Sequence, residues 1–291
     1  MTEVRIRPML ADDVPAAERL TAHGFHELDT RMFRRSWPDP EPRPPERAAN
    51  WVARTRHLVE GDPGGSWVAM EDDRMVGVVV SYNREKLWLL ASYAVLPGRQ
   101  GQGLGKALLA PALDHGKGSL RGMLSASGDP KALRRYHQAG FTFHPQMFLR
   151  GTPDRSAIPA LAGKVREGGP GDRDLLDSID RQTRGAAHGR DHDVLRSTLR
   201  LVVSDTTTGS GYAYLDQGVA LLAATNRRTA SRLLWEALAS SDDVLVPHIT
   251  AANSWAIDVG MAARLELHQE GYLALRHLEP PAPYLHHGAL L

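Results

Sequence analysis

The sequence predicts an α/β (α+β) fold built from two tandem copies of one domain. Short apolar strands alternate with amphipathic helices along the chain, and 291 residues suit two domains. The pattern also restarts midway, which indicates an internal duplication. Two stretches carry the repeat: "IRPMLADDVPAAERL" (6–20) lines up with "VREGGPGDRDLLDSI" (165–179), and "DPKALRRYHQAGFTFH" (129–144) lines up with "NSWAIDVGMAARLELH" (253–268).

The first copy opens with a strand and two helices. Residues 4–7 alternate apolar and charged side chains, as a half-buried strand does. The acidic pair at 12–13 opens a helix with Pro15 in its first turn, where a missing N–H costs little. Helical spacing returns over 46–59 after a proline-rich loop, and the glycines of 61–65 end that helix.

Three strands then precede a glycine-rich loop. Residues 67–71 and 75–80 predict a hairpin, and 87–96 predicts the third strand. The loop leads into a helix over 104–113, which Pro111 is expected to kink or to end early.

The first copy closes with a strand over 120–126, a helix over 130–139 and a strand over 141–149. The linker "GTPDRSAIPALAGK" follows, and the second copy begins after it. We therefore predict a first domain over 1–155 and a second, shorter domain over 156–291.

Composition narrows the class of protein. The formal net charge is +1, so no bulk charge indicates a nucleic acid or an anionic membrane as partner. Cysteine is absent, which excludes disulfides and thiolate zinc sites. No apolar run reaches the about 20 residues that span a bilayer. The excess of Arg over Lys is typical of a GC-rich bacterial genome, and we expect a cytoplasmic protein that is a monomer or a homodimer.

The stretch "LPGRQGQGLGK" (96–106) is the strongest chemical signal. A strand, a glycine loop and a helix in this order point backbone N–H groups at an anion. Gly101, Gly103 and Gly105 are evenly spaced, which excludes the G-x-G-x-x-G dinucleotide fingerprint. Gln100 and Ala107 exclude the nucleoside triphosphate loop, which needs Gly and Ser or Thr there.

The loop instead resembles that of the GNAT superfamily of acyl-CoA-dependent N-acyltransferases, (Gln/Arg)-x-x-Gly-x-(Gly/Ala). The downstream stretch "DPKALRRYHQAGF" (129–141) is similar to the family's Asn-x-x-Ala-x-x-x-Tyr-x-x-x-Gly-Phe, with Asp129 in place of Asn. The resemblance covers most of the chain, as a tandem member. It implies, for each copy, a mixed, mostly antiparallel twisted sheet flanked by helices.

The resemblance also implies the chemistry. Acetyl-CoA would be the co-substrate, with no metal. The Val95 N–H would stabilise the oxyanion, and the Tyr136 phenol, with an ordinary pKa of about 10, would protonate the departing thiolate. An aromatic on the inner face of its helix is the other interpretation of Tyr136. The implied cofactor-binding residues are Ala94, Val95, Leu96, Gln100, Gly101, Gln102, Gly103, Leu104, Gly105, Lys106, Asp129 and Tyr136.

The general base and the acceptor stay open at this point. The strand before the loop carries no acid, so His23, His26, Glu27, Asp29 or a water chain could take the amine proton. A small-molecule primary amine is the leading acceptor. The alternatives are a protein amine, or a non-catalytic sensor that binds acyl-CoA.

Other polar clusters receive a plainer interpretation. His188 and His192 lie four residues apart with acidic neighbours and could indicate a metal, but no third ligand is evident and we favour a solvated polar stretch. Solvated surface is also the interpretation of the cluster Arg31, Arg34 and Arg35 and of the pair His286 and His287.

The second copy keeps the apolar pattern and loses the chemical residues. We predict a structural partner that neither binds CoA nor catalyses. Gly260 stands opposite Tyr136. The positions opposite Gln100, Gly101, Gly103 and Gly105 are Thr225, Asn226, Arg228 and Ala230.

Overall fold

The computed structural model describes residues 4–34, 37, 39–160 and 164–291. Its contacts divide the chain into two compact units, the first ending at Leu120 and the second beginning at Arg121. We predicted the domain boundary between residues 155 and 156 from the sequence repeat. The compact units are defined by contacts instead, so this boundary stays a prediction.

The first unit is an antiparallel sheet with three helices. Its strands pair in the order β1-β2-β3-β4. None of the helices within the described residues is both long and apolar enough to cross a membrane. The elements are β1 (Val4–Pro8), α1 (Val14–Met32), α2 (Pro45–Gly61), β2 (Ser66–Glu71), β3 (Arg74–Arg84), β4 (Leu87–Val95) and α3 (Leu104–His115).

Strand β3 forms the centre of this unit. Its residues from Met75 to Tyr82 are all buried, although successive side chains point to opposite faces of the sheet. Both faces are therefore covered, and α1 and α3 each pack against β3.

Helix α3 continues past Pro111 to His115, so the expected early end is wrong. Side chains from the sheet hold its last carbonyls. Trp88 Nε1 donates to the Ala112 oxygen at 2.9 Å, and Asn83 Nδ2 donates to the His115 oxygen at 3.2 Å. These bonds stabilise the last turn beyond the proline.

The second unit contains one longer sheet with the order β5-β12-β6-β11-β10-β9-β8-β7, and β13 pairs with β10. Only the β10–β11 pair is parallel among its described registers, so the sheet is mixed and mostly antiparallel, as predicted. The elements are β5 (Arg121–Ala126), α4 (Pro130–Gln138), β6 (Thr142–Gly151), β7 (Arg166–Glu167), α5 (Arg173–Thr183), α6 (Asp191–Thr198), β8 (Arg200–Thr206), β9 (Gly209–Asp216), β10 (Gly218–Ala224), α7 (Arg227–Ala239), β11 (Val244–Thr250), α8 (Ser254–Ala262), β12 (Glu266–Arg276) and β13 (Tyr284–Leu285).

The order of elements repeats along the chain. The series from β1 to β6 reads strand, two helices, three strands, helix, strand, helix, strand, and the series from β7 to β12 is the same. The second series has its own core, in which α7 packs on β9 and β10. Five leucines of this half are fully buried: Leu221, Leu222, Leu233, Leu234 and Leu238.

The two copies exchange their last strands within the second unit. Strand β12 lies between β5 and β6, with Leu273 opposite both Ser125 and His144. Strand β6 in turn lies between β11 and β12. Each copy therefore completes the sheet of the other, and the second copy is part of the fold of the first.

This exchange predicts that a fragment ending at Arg150 misfolds. Without β11 and β12, strand β6 loses both neighbours and β5 loses its pairing with β12, which leaves open sheet edges prone to aggregation. We expect a much lower soluble fraction than for the full chain expressed in parallel. A soluble, monomeric fragment with a cooperative thermal transition would contradict this prediction.

Candidate active site

The glycine loop joins β4 to α3 and opens the start of that helix. Gly98, Gly101 and Gly103 have φ of +81°, +84° and +84°, a backbone conformation that residues with a Cβ rarely adopt. Gly103 is the N-cap of α3. No side chain among the described residues accepts a hydrogen bond from the first N–H groups of this helix. Leu104, Gly105 and Lys106 therefore begin the helix with N–H groups that have no partner inside it.

Space around the loop suits an anion. A Cβ built at Gly98, Gly101 or Gly103 would meet no described atom within 4 Å. Gly105 has a different reason to be glycine, because a Cβ there would lie 2.4 Å from the Tyr93 hydroxyl. The loop and the helix start thus combine open backbone donors with the positive end of a helix dipole.

The end of β4 presents a second backbone donor. The Leu96 N–H donates to the Val76 oxygen at 2.9 Å, which makes Val95 and Gly77 a non-hydrogen-bonded pair. The N–H and C=O of Val95 therefore point away from β3, and Gln100 Nε2 donates to the Val95 oxygen at 3.1 Å. Ala94 and Leu96 turn their N–H groups toward β3, so only Val95 offers a backbone N–H among these three predicted residues.

A bulge reorients β4 before this point. Val80 lies opposite Ser92 but Ser81 lies opposite Leu90, so Ala91 is an extra residue in the strand. A bulge increases the local twist and redirects the residues that follow.

Polar residues of the glycine loop contact β2 and the backbone of the loop itself. Arg99 forms an ion pair with Glu71 on β2, and the Arg99 N–H donates to the Leu96 oxygen at 3.0 Å. Gln102 Nε2 lies 3.4 Å from the Gly98 oxygen, and Lys106 is exposed in the first turn of α3. The Lys106 ammonium is therefore available to an anion at the helix start.

Asp129 and Tyr136 lie on α4 in the second unit. Asp129 is the N-cap of α4, and its Oδ1 accepts from the Lys131 N–H at 2.8 Å. Tyr136 is 7% exposed. The capping bond explains an acidic residue at 129 without a cofactor, and the predicted CoA contacts of both residues stay predictions.

The spacing of Tyr136, Gly140 and Phe141 reflects the end of α4. Gly140 has φ of +87°, and the Phe141 N–H donates to the Tyr136 oxygen at 3.1 Å. This is the Schellman arrangement, in which glycine adopts the left-handed conformation after the last turn. The Tyr-x-x-x-Gly-Phe motif therefore positions the tyrosine on the final turns of the helix.

The candidates for the general base all lie on α1. His23 and Asp29 are exposed, and Glu27 is half-buried. His26 Nδ1 is buried without a hydrogen-bond partner among the described atoms. The Asp29 carboxyl is partly desolvated although the residue as a whole is exposed; this desolvation raises its pKa, and the neighbouring His26 opposes the shift.

The two described residues of the small basic cluster are solvated. Arg31 and Arg34 are exposed, as expected. Arg35 lies outside the described residues.

The second copy has a much shorter loop at the corresponding place. Eight residues, 96–103, separate β4 from α3, but only Thr225 and Asn226 separate β10 from α7. Asn226 therefore takes the N-cap place of Gly103 and not that of Gly101, which corrects the sequence alignment. Its Oδ1 accepts from the Thr229 N–H at 2.9 Å, so a side chain occupies the helix start.

A segment of the chain itself lies along β10 in the second copy. Leu285 and Tyr284 of β13 pair with Leu222 and Ala223 of β10. Asn253, opposite Asp129 in the alignment, accepts from the Tyr284 N–H at 2.9 Å and donates to the Pro281 oxygen at 3.0 Å. The strand position that corresponds to the end of β4 is therefore already paired.

These two features predict one CoA site per chain. Asn226 caps the donors of α7, and β13 covers the edge of β10, so the second copy lacks both halves of the backbone site. We expect calorimetric titration of the full chain with CoA to give a stoichiometry of about one. A stoichiometry of two would show that the second copy binds CoA.

Three of the four histidines that we assigned from the sequence to solvated surface in the second copy are buried, so that interpretation is wrong for them. His188 and His192 are 0% exposed and His286 is 2% exposed, while His287 is half-buried. The missing third group is Asp180, eight residues before His188. Burial alone would raise the pKa of Asp180, but His188, His192 and Arg184 beside it hold that pKa well below its usual range.

Part of the first copy matches a known protein family. Residues 22–141 match the sequence model described as "Acetyltransferase (GNAT) family". No curated protein sequence matches the chain.

Solved structures share the fold along the whole chain. A candidate acetyltransferase from Pyrococcus horikoshii superposes with a TM-score of 0.76 at 18% identity, covering 100% of this chain and 96% of its own. A GCN5-related N-acetyltransferase from Sphaerobacter thermophilus has a TM-score of 0.57 at 16% identity, covering 94% and 95%.

A tandem GNAT protein from the clavulanic acid biosynthesis pathway has a TM-score of 0.58 at 14% identity, covering 94% of this chain and 98% of its own. At these identities the structures show a shared fold, and the sequence model adds the family of the first copy. The match over residues 22–141 therefore places the domain of the first copy in the acetyltransferase (GNAT) family, and the solved structures share the fold of the whole chain.

Proposed function

We propose that the protein transfers an acetyl group from acetyl-CoA directly to the primary amine of a small molecule, in an active site within residues 1–155. The observation that carries this proposal is the open row of N–H groups at the start of α3, beside three glycines with positive φ. Such a row suits the pyrophosphate of CoA.

The pantetheine arm of CoA would pair with the outward-facing backbone of Val95, as an added strand does. Gln100 holds the Val95 carbonyl at 3.1 Å, so the Val95 N–H is the donor left for the substrate. We place the thioester oxygen at this N–H, where it would stabilise the oxyanion of the tetrahedral intermediate.

The reaction needs a neutral amine held against the thioester. The amine nitrogen forms a bond to the acetyl carbon, and the carbon–sulfur bond then breaks. The phenol of Tyr136 gives its proton to the departing thiolate, and the proton released by the amine passes to a base on α1 or to water. The products are the N-acetyl amine and free CoA.

The test is the acceptor-dependent release of free CoA from acetyl-CoA over a broad panel of amines. The panel holds polyamines, aminoglycoside-like compounds, amino acid derivatives and peptides with free amino groups. We expect release to rise at least tenfold over background with one class of small amine, and mass spectrometry to find the acetylated product.

Two outcomes would replace the proposal. Release that rises only with peptides or proteins would make the acceptor a protein amine. Tight binding of acetyl-CoA without faster release for any amine would indicate a sensor, which the absence of an acid on β4 favours.

A further inference from the structure

Three potential metal ligands, Asp180, His188 and His192, meet inside the second copy, and the carboxylate of Asp177 lies beside His192. Asp177 and Asp180 lie three residues apart on α5, and His188 and His192 flank the start of α6. Asp180, His188 and His192 are each 0% exposed, and one ligand atom from each lies within 4.8 Å of the other two. The Asp177 side chain is 15% exposed.

The distances among these ligand atoms fit one shared ion. Asp180 Oδ2 lies 2.7 Å from His188 Nδ1 and 3.1 Å from His192 Nε2. Asp177 Oδ1 lies 3.4 Å from the same His192 Nε2. A tetrahedral zinc ion with bonds of about 2.0–2.2 Å separates its ligand atoms by roughly 3.3–3.5 Å. Asp180 Oδ2 and the two imidazole nitrogens would move apart by about 0.2–0.8 Å on binding zinc, and Asp177 lies outside this set of three.

The outer contacts of His188 suit a proton on Nε2. This nitrogen lies 3.2 Å from the Leu290 carbonyl oxygen, which can only accept, and 3.5 Å from the Tyr284 hydroxyl, which can donate or accept. In a neutral imidazole, Nδ1 then holds a lone pair, and this lone pair faces the Asp180 carboxylate at 2.7 Å. Two acceptors at this distance repel each other unless a proton or a metal cation lies between them.

The outer contacts of His192 and Asp180 likewise leave one acceptor atom of each residue facing the centre of the cluster. His192 Nδ1 lies 3.1 Å from the Tyr214 hydroxyl, which donates to the His192 backbone oxygen at 3.4 Å. Nδ1 can therefore donate to Tyr214, which leaves the lone pair of Nε2 facing inward. Tyr212 donates to Asp180 Oδ1, so Oδ2 is the inward oxygen. Partners of this kind orient the ligands of metal sites.

Backbone N–H groups hold the loop between α5 and α6 over the two carboxylates. The His188 N–H donates to Asp180 Oδ2 at 3.1 Å, and the Gly189 N–H donates to Asp177 Oδ1 at 2.9 Å. Each carboxylate oxygen keeps a further lone pair for another bond.

We propose that Asp180, His188 and His192 bind one zinc ion that ties α5 to α6 in the second copy, with a water molecule as the fourth ligand. Two imidazoles and one carboxylate are ligands that zinc accepts, whereas Mg²⁺ and Ca²⁺ prefer oxygen ligands alone. The complete burial of the three protein ligands keeps the ion away from substrate. This assignment replaces the expectation of no metal, and it does not depend on the proposed acetyl transfer.

The first experiment uses the full chain without an affinity tag, expressed in zinc-supplemented medium. We expect elemental analysis to find about one zinc per chain. After chelation, addition of ZnCl₂ to about 100 times its Kd should raise the melting temperature by roughly 5 °C or more. Zinc below about a tenth of an equivalent, with no response of the melting temperature to ZnCl₂, would overturn the proposal.

The second experiment compares two histidine variants. His192→Asn removes a proposed ligand and should lose the bound zinc. His277→Asn is the matched control, because His277 is exposed, and Asn tolerates its φ of +50°. The control should keep the zinc. Equal loss of zinc in both variants would show that surface imidazoles bind it and would overturn the proposal.

X-ray absorption on the wild-type chain decides the matter if His192→Asn fails to fold. The expected spectrum has four nitrogen or oxygen neighbours at about 2.0–2.1 Å, with the outer-shell scattering of two imidazoles. A spectrum with one imidazole or none would overturn the assignment.

Discussion

Replacement of Tyr136 by Phe is expected to lower kcat about 100-fold or more while the affinity for acetyl-CoA stays the same. Phenylalanine keeps the buried ring on α4 but has no proton to give to the departing thiolate. A general acid of this kind contributes about 10²- to 10⁴-fold. The measurement is steady-state release of CoA with the best amine, together with calorimetric binding of acetyl-CoA.

A second phenol provides the control for this variant. Tyr82 is fully buried on β3, and Tyr82→Phe removes its hydroxyl without touching a proposed catalytic group. We expect its kcat to stay within about twofold of the wild-type value. If Tyr136→Phe turns over as fast as Tyr82→Phe, Tyr136 is a core aromatic and the thiolate takes its proton from another source.

Gly103→Val is expected to weaken CoA binding about 10- to 100-fold while the fold persists. Gly103 has φ of +84°, which a β-branched residue adopts only with strain, and it is the N-cap of the helix that offers its N–H groups. The valine side chain would also enter the open space that we assign to the phosphate. Loss of one or two hydrogen bonds to a charged group accounts for this range. Calorimetry with CoA is the measurement.

Gly98→Val separates backbone strain from loss of the anion site. Gly98 has φ of +81° and the same open space where a Cβ would lie, but it precedes the N-cap of α3 by five positions. We expect similar destabilisation in both variants and a smaller loss of CoA affinity in Gly98→Val. Normal CoA binding by Gly103→Val would place the phosphate site elsewhere and remove the main support for the proposed function.

The sequence alone determined the features that depend on neighbouring residues. The glycine loop, the Schellman end of α4 and the order of strands and helices in the first copy follow from φ preferences, capping and apolar spacing within about 20 residues of each other. The repeat and the acyltransferase family followed from these local signals, since the motif residues occur together in one copy.

Only the tertiary structure decided which distant segments meet. Strand β12 pairs with β5 although about 150 residues separate Ala126 from Tyr272, and β13 covers β10 by a pairing that no alternation of side chains specifies. The burial of His188 and His192 has the same origin. Polar residues near a helix start are usually solvated, and here Asp180, Tyr212 and Leu290 from three other segments enclose them. Hydrogen-bond partners compensate the cost of burying such groups, and those partners come together only when the whole unit folds.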